Sequence, residues 1–93
     1  MVRESHVQEI LIGNVSHYLV RTGEAVVLLI TPLMNGDHIH ITGSITDFQM
    51  IVDSIENDTH HMSFHHSGYQ MAIKVNEWVR EGDRIYIYDY EED

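Results

Sequence analysis

The chain has 93 residues, 43% of them hydrophobic, which fits one domain with its own core and leaves too little for a second. Fifteen acidic residues against five basic ones give a formal net charge of −10, and no cluster of Lys or Arg is present to displace counterions from a phosphate backbone. Direct binding of nucleic acid is therefore disfavoured, and the absence of Cys excludes disulfides, thiolate metal sites and cysteine nucleophiles.

The longest wholly apolar run, residues 25–30, is far shorter than the ~20 residues of a membrane helix. The N-terminal residues do not have the pattern of a signal peptide. We expect a cytoplasmic protein that does not associate with membranes. It should form a single domain over residues 1–93, ordered over about residues 9–90.

The β-branched and aromatic residues of the chain fall into strand-like segments. These predicted strands are residues 9–20, 25–30, 38–42, 47–56, 69–75 and 84–90. We expect a bulge near Gly13 in the first strand and another near Ser54 in the fourth. Residues 1–8 are predicted to be a loose lead-in and residues 57–68 a polar loop. Six short strands with no amphipathic helix predict an all-β protein that closes into a six-stranded β-barrel, which removes its free edges.

Two Gly-Asp turns precede strands that alternate apolar and polar residues. They begin at Gly36 and Gly82, 46 residues apart, and share the pattern Gly-Asp-x-Ile-x-Ile. Such turns are common before strands, so internal duplication need not be invoked. The alternation points the isoleucines inward. The predicted core is Ile12, Val15, Val27, Leu29, Ile39, Ile41, Val52, Ile55, Ile73, Ile85 and Ile87.

Five short motifs occur in a familiar order along the chain. They are Ile12-Gly13-Asn14-Val15, the apolar residues 25–29, Leu33-x-x-Gly36-Asp37-x-Ile39-x-Ile41-x-Gly43, Val52-x-Ser54-Ile55 and Ala72-Ile73-Lys74-Val75. In this order they resemble the second, β-barrel domain of translation elongation factors of the Tu type, and more closely the small stand-alone translation-factor-like proteins of prokaryotes. The resemblance implies a closed six-stranded Greek-key barrel that serves as an accessory binding module, as in factors that dock aminoacyl-tRNA and the ribosome.

The chain departs from this family at several places. Ser67-Gly68-Tyr69 stands where the factors usually have a second Gly-Asp, and their loop lacks the His pairs found here. The phosphate-binding and guanine-binding motifs of GTPases are absent, so GTP binding is not carried over. Similar barrels are also appended to collagenase-like peptidases, which makes an accessory domain or subunit of a peptidase-like enzyme an alternative.

Four histidines within seven residues form the densest group of possible metal ligands: His60, His61, His65 and His66. Their neutral imidazoles could bind Zn²⁺, Ni²⁺ or Cu²⁺, although their spacing matches no established zinc signature and Asp58 is the only flanking carboxylate. A His-rich-loop metal-binding protein is therefore a further alternative. His38 and His40 share a strand face and could also chelate a metal, but exposed polar strand residues are the commoner interpretation.

Three alternating tyrosines near the C-terminus, Tyr86, Tyr88 and Tyr90, should line one face of the last strand. With Tyr18 they could form an aromatic surface that anchors a partner, or they could simply pack across strands. Trp78 is either a lid over one end of the barrel or a further partner-binding residue.

No Ser lies in a nucleophile-elbow motif, and we predict no catalytic residues, no cofactor and no enzymatic activity. The predicted function is a translation-factor-like binding module that docks to a basic protein or a ribonucleoprotein, since a net charge of −10 attracts basic proteins. Protonation of the eight histidines should also promote self-association at lower pH.

Overall fold

The structure is a computed structural model, and it describes residues 6–55, 62–65 and 68–91. Within these ranges the chain forms seven β-strands, which confirms the all-β prediction. The strands are β1 (His6–Leu19), β2 (Glu24–Leu29), β3 (His38–Thr42), β4 (Asp47–Ile51), β5 (Met62–His65), β6 (Gly68–Lys74) and β7 (Arg84–Glu91). The same ranges hold no helix that is long and apolar enough to span a bilayer.

All the strand pairs are antiparallel and belong to one sheet with the order β4-β3-β7-β1-β2-β6-β5. The last strand therefore lies between the first and the third. This placement brings residues from both ends of the sequence next to the Gly36 turn and the β3–β4 hairpin.

The sheet is open, which corrects the predicted closed, six-stranded Greek-key barrel. A closing ladder would have to join β4 to the edge of β6 that β2 leaves free. Part of that edge is taken by β5, which pairs with β6 from Gly68 to Met71 and lies inside the segment predicted to be a polar loop. Farther along β6, the Lys74 N–H donates to Ser54 Oγ at 2.9 Å. Among the described residues, the hydrogen bond from Lys74 to Ser54 thus takes the place of the strand pair that would close a barrel.

Two strands also differ from their predicted form. The register of β1 against β7 shifts between Leu11 and Gly13, as predicted, and its register against β2 shifts again between Val15 and His17. β4 ends at Ile51, so the predicted bulge near Ser54 does not form.

The two Gly-Asp turns are built in the same way. Gly36 and Gly82 have φ values of 97° and 89°, a left-handed conformation that glycine adopts without steric cost. The carboxylates of Asp37 and Asp83 each accept the backbone N–H three residues earlier, at 2.8 Å in both turns. Each glycine N–H also donates to a buried valine carbonyl, at 2.7 and 2.8 Å. The sequence repeat therefore corresponds to a structural repeat of the turn.

The core lies on one side of the curled sheet, and the alternation that predicted it is confirmed. The predicted core residues are buried, except that Ile55 and Ile87 are only partly buried and pack against its border. The structure adds Ala25, Leu33, Phe48, Met50, Met71 and Val79. On β1, β3, β4 and β7, the side chains that alternate with the core residues consequently share the outer side of the sheet.

Candidate functional site

The outer side of the sheet carries a group of rings and carboxylates that we call the aromatic face. Its residues come from four adjacent strands, β4, β3, β7 and β1. The register places His40 beside Tyr86 and Glu9 beside Tyr88, while Gln49 pairs with His40 from the other side. The aromatic face consists of Glu9, His38, His40, Asp47, Gln49, Tyr86, Tyr88 and Tyr90.

His40 links two carboxylates on the aromatic face. Its Nδ1 is hydrogen-bonded to Glu9, and its Nε2 to Asp47 Oδ1 at 2.6 Å. Because an ionised carboxylate only accepts, both ring nitrogens donate when both bonds form, which is the imidazolium form of the ring. The hydrogen bond to Asp47 raises the pKa of His40 above its usual value, partial burial opposes this, and the bond to Glu9 adds to it.

The contact between His40 and Glu9 reaches across a whole strand, because β7 lies between β3 and β1. The ring of His40 is stacked on Tyr88 of that strand, with centroids 6.1 Å apart and planes at 10°. The Tyr88 side chain is also hydrogen-bonded to Glu9. The hydrogen bond with His40 lowers the pKa of Glu9, whereas desolvation and then the bond to Glu9 raise the pKa of Tyr88.

His38 has a different set of partners. Its Nε2 lies 3.0 Å from the amide oxygen of Gln49 and its Nδ1 lies 2.5 Å from the hydroxyl of Tyr90. Since an amide oxygen cannot donate, Nε2 carries a proton toward Gln49, and Nδ1 shares a hydrogen bond with the hydroxyl of Tyr90. The two histidines of β3 thus differ in their partners, which are two carboxylates for His40 and an amide oxygen and a hydroxyl for His38.

The sequence-predicted tyrosines Tyr86, Tyr88 and Tyr90 do share one face, and they pack across strands against His38 and His40. Tyr90 is 55% exposed, while Tyr86 and Tyr88 are partly buried. The rings pack across strands, as the second interpretation predicts, and they still reach the surface, while the anchoring of a partner stays a prediction.

Trp78 lies beside the aromatic face. It is exposed and packs on Tyr18, with ring centroids 5.1 Å apart, so Tyr18 does not join the row of tyrosines on β7. Trp78, Arg80 and Asp47 line one groove of about 500 Å³. Asp47 is therefore the residue through which this groove borders the aromatic face.

The predicted histidine metal site falls largely outside the described residues. His60, His61 and His66 lie there, and His65 is described only as the last residue of β5, whose backbone pairs with Gly68. The metal hypothesis for this loop stays a prediction. In the part of the chain that the structure does describe, no three His, Asp or Glu residues are placed to hold a metal ion.

The chelation considered for His38 and His40 is not what the structure shows. Each of their four ring nitrogens has a protein partner. Glu9 and Asp47 were not predicted from the sequence to belong to a site. Nothing in the sequence indicated that β7 would lie between β1 and β3 and so bring both carboxylates to His40.

Comparisons of the chain with protein-family models, curated proteins and solved structures found no match.

Proposed function

We propose that this chain is a non-enzymatic, translation-factor-like binding module that docks through the aromatic face onto a basic protein, free or as part of a ribonucleoprotein. The observation that carries the proposal is the row of Tyr86, Tyr88 and Tyr90, which is bordered by the carboxylates of Glu9 and Asp47.

Rings and carboxylates together recognise basic side chains. A guanidinium stacks on an aromatic ring and pairs with a carboxylate at the same time, and a Lys ammonium is attracted to the ring face. Tyrosine also supplies contact area at a low cost in conformational entropy. The aromatic face offers both elements on four adjacent strands.

The charge of the molecule favours a protein over bare RNA as the partner. A net charge of −10 accelerates the encounter with a basic protein and repels a phosphate backbone within about one Debye length, ~10 Å at 0.1 M salt. The translation context rests on the ordered motifs from Ile12 to Val75 that resemble the elongation-factor domain.

Affinity capture from the native cell lysate tests this function. The bait is the purified chain at low and moderate salt, and the captured material is analysed by mass spectrometry and RNA quantification. We expect basic proteins whose recovery falls with salt and is lost with a Tyr88→Thr/Tyr90→Thr variant, which keeps β-forming residues while removing two rings.

Ile30→Thr is the control, because Ile30 is also an exposed apolar residue, 67% against 55% for Tyr90, but lies outside the aromatic face. Circular dichroism must show that each variant is folded. Capture of the same basic proteins by the double tyrosine variant, or capture of RNA after the proteins have been removed, would contradict the proposal.

A further inference from the structure

The aromatic face already holds a cation of its own. His40 lies between Glu9 and Asp47 with one ring nitrogen on each carboxylate, and its ring is stacked on Tyr88. These are the groups that would receive a basic side chain from a partner. An incoming cation must therefore compete with the imidazolium of His40.

We infer that His40 occupies the position that an arginine of the partner takes in the complex. The partner's guanidinium displaces His40 from Glu9 and Asp47, and His40 releases its proton to solvent. The inference rests on the proposed function and adds to it which side chain of the partner is recognised and how pH controls the binding.

Guanidinium and imidazolium share the features that fit the position between Glu9 and Asp47. Both are flat cations that carry N–H donors on different edges, so that each can bridge two carboxylates while its plane stacks on a ring. A Lys ammonium is a compact point charge without a plane, and it can satisfy the carboxylates but not the stacking. The geometry around His40 thus favours arginine over lysine.

The carboxylates can be reached by such a competitor. The side chain of Asp47 is 80% exposed and that of Glu9 42% exposed, whereas that of His40 is only 18% exposed. An arginine from a partner can therefore contact Asp47 first and Glu9 second. After the exchange, as before it, both carboxylates are paired with a cation.

The charged and titratable groups around His40 come from every strand that packs against it. They are Glu9 on β1, Asp47 on β4, Tyr86 and Tyr88 on β7, and His38 on β3 itself. Arg84, at the next outward position of β7, pairs with Thr42 and repels the imidazolium and an incoming guanidinium alike. The two carboxylates favour the charged ring, which agrees with the raised pKa of His40.

Proton release gives this exchange a measurable signature. If binding one arginine expels one proton, Kd should fall about tenfold per unit of pH as long as the pH is below the pKa of His40. Above that pKa the ring is already neutral and Kd should become constant. Other histidines add a shallower dependence, because their protonation lowers the net negative charge of the whole chain.

The test measures binding of a fluorescent hexa-arginine peptide between pH 5.5 and 9 at constant ionic strength. His40→Gln removes the displaced proton and keeps the seven other histidines. At pH 6 we expect this variant to bind about tenfold more tightly than the natural chain, with a smaller dependence on pH, and at pH 9 the two should agree. Calorimetry in two buffers of different ionisation enthalpy should show close to one proton released by the natural chain at pH 6.

Two charge-matched variants locate the peptide. At pH 8, Glu9→Gln should weaken binding about tenfold, whereas Glu24→Gln on β2, which removes the same charge away from the aromatic face, should leave it nearly unchanged. Equal Kd values for these two variants would mean that the peptide binds elsewhere, and the proposed function would lose its site.

If Glu9→Gln does weaken binding but His40→Gln keeps the pH dependence of the natural chain, the aromatic face binds the peptide without displacing His40. That result would overturn the inference and leave the proposed function standing. A hexa-lysine peptide that binds as tightly as hexa-arginine, with the same pH dependence, would overturn the preference for a guanidinium.

Discussion

Two isoleucines on neighbouring strands show that the burial of a residue depends on which side of the sheet it faces. Ile41 on β3 is fully buried, whereas Ile51 on β4 is 52% exposed on the opposite side. Ile41→Asp would place a carboxylate with no partner among apolar side chains, and we expect it to lower the free energy of unfolding by about 3–5 kcal/mol. Urea denaturation measures this loss.

The same substitution at Ile51 is the control, because its carboxylate would stay in water and should change the free energy of unfolding by less than about 1 kcal/mol. If both variants unfolded at the same urea concentration, the assignment of inner and outer sides would be incorrect.

At the scale of the residue, the sequence predicts which side of a strand a residue faces but not what it meets there. Alternation located Ile39 and Ile41 in the core and His40 outside it. The partners of His40 depend on strand order and on the register of β1 against β7, which pairs Glu9 with Tyr88. Those features arise from the packing of the whole sheet, so Glu9 could not be read from the local pattern.

At the scale of the element, His40 connects three strands besides its own, since it bonds to β4 and β1 and stacks on β7. Because its pKa is raised in the folded state, its stabilising contribution is fully present below about 6.5, the unfolded value, and is lost as pH rises through the folded pKa. The pKa of Glu9 is lowered, so its contribution is present above its ordinary value of 4.5 and is lost as pH falls.

We therefore expect His40→Gln to lower Tm most between about pH 5 and 6.5 and least near pH 9. Thermal unfolding by circular dichroism at several pH values measures the difference from the natural chain. His17→Gln is the comparison, because His17 is exposed and bonds only to the neighbouring Ser16 among the described contacts. A Tm difference for His40→Gln that did not vary with pH would show that the contact carries no net charge effect.

Local patterns located most strands because each has its own signal of alternation and turn residues, as in β3 and β7 after their Gly-Asp turns. β5 had no such signal, because it is short and its sequence lies among histidines. Its strand conformation comes from its pairing with β6. β4 was predicted too long because Val52 continues the apolar pattern, but the backbone of Val52 bonds to the Gly36 turn. The prediction of a closed barrel was wrong because it left out β5 and made β4 too long.

At the scale of the whole molecule, electrostatic repulsion has to protect the strand edges that a closed barrel would not have. An open sheet leaves edges that can pair with another chain, and β4 is the edge on one side of the described sheet. Exposed apolar residues lie close to this edge, among them Ile45 and Ile51. Repulsion between chains with a formal net charge of −10, counted with neutral histidines, opposes such pairing at neutral pH.

Lowering the pH should remove most of that repulsion, because protonating all eight histidines adds eight charges to −10 and leaves −2. We expect self-association to increase between pH 7 and about pH 5.5, around the usual histidine pKa of ~6.5. Light scattering measures it, and return to pH 7 should restore the smaller species if the folded chain is what associates. Salt at pH 7 is the control, since about 0.5 M shortens the Debye length to a few ångströms and should produce part of the same effect without protonation. Scattering that stayed constant across the pH range would mean that the edges of the sheet are protected by something other than charge.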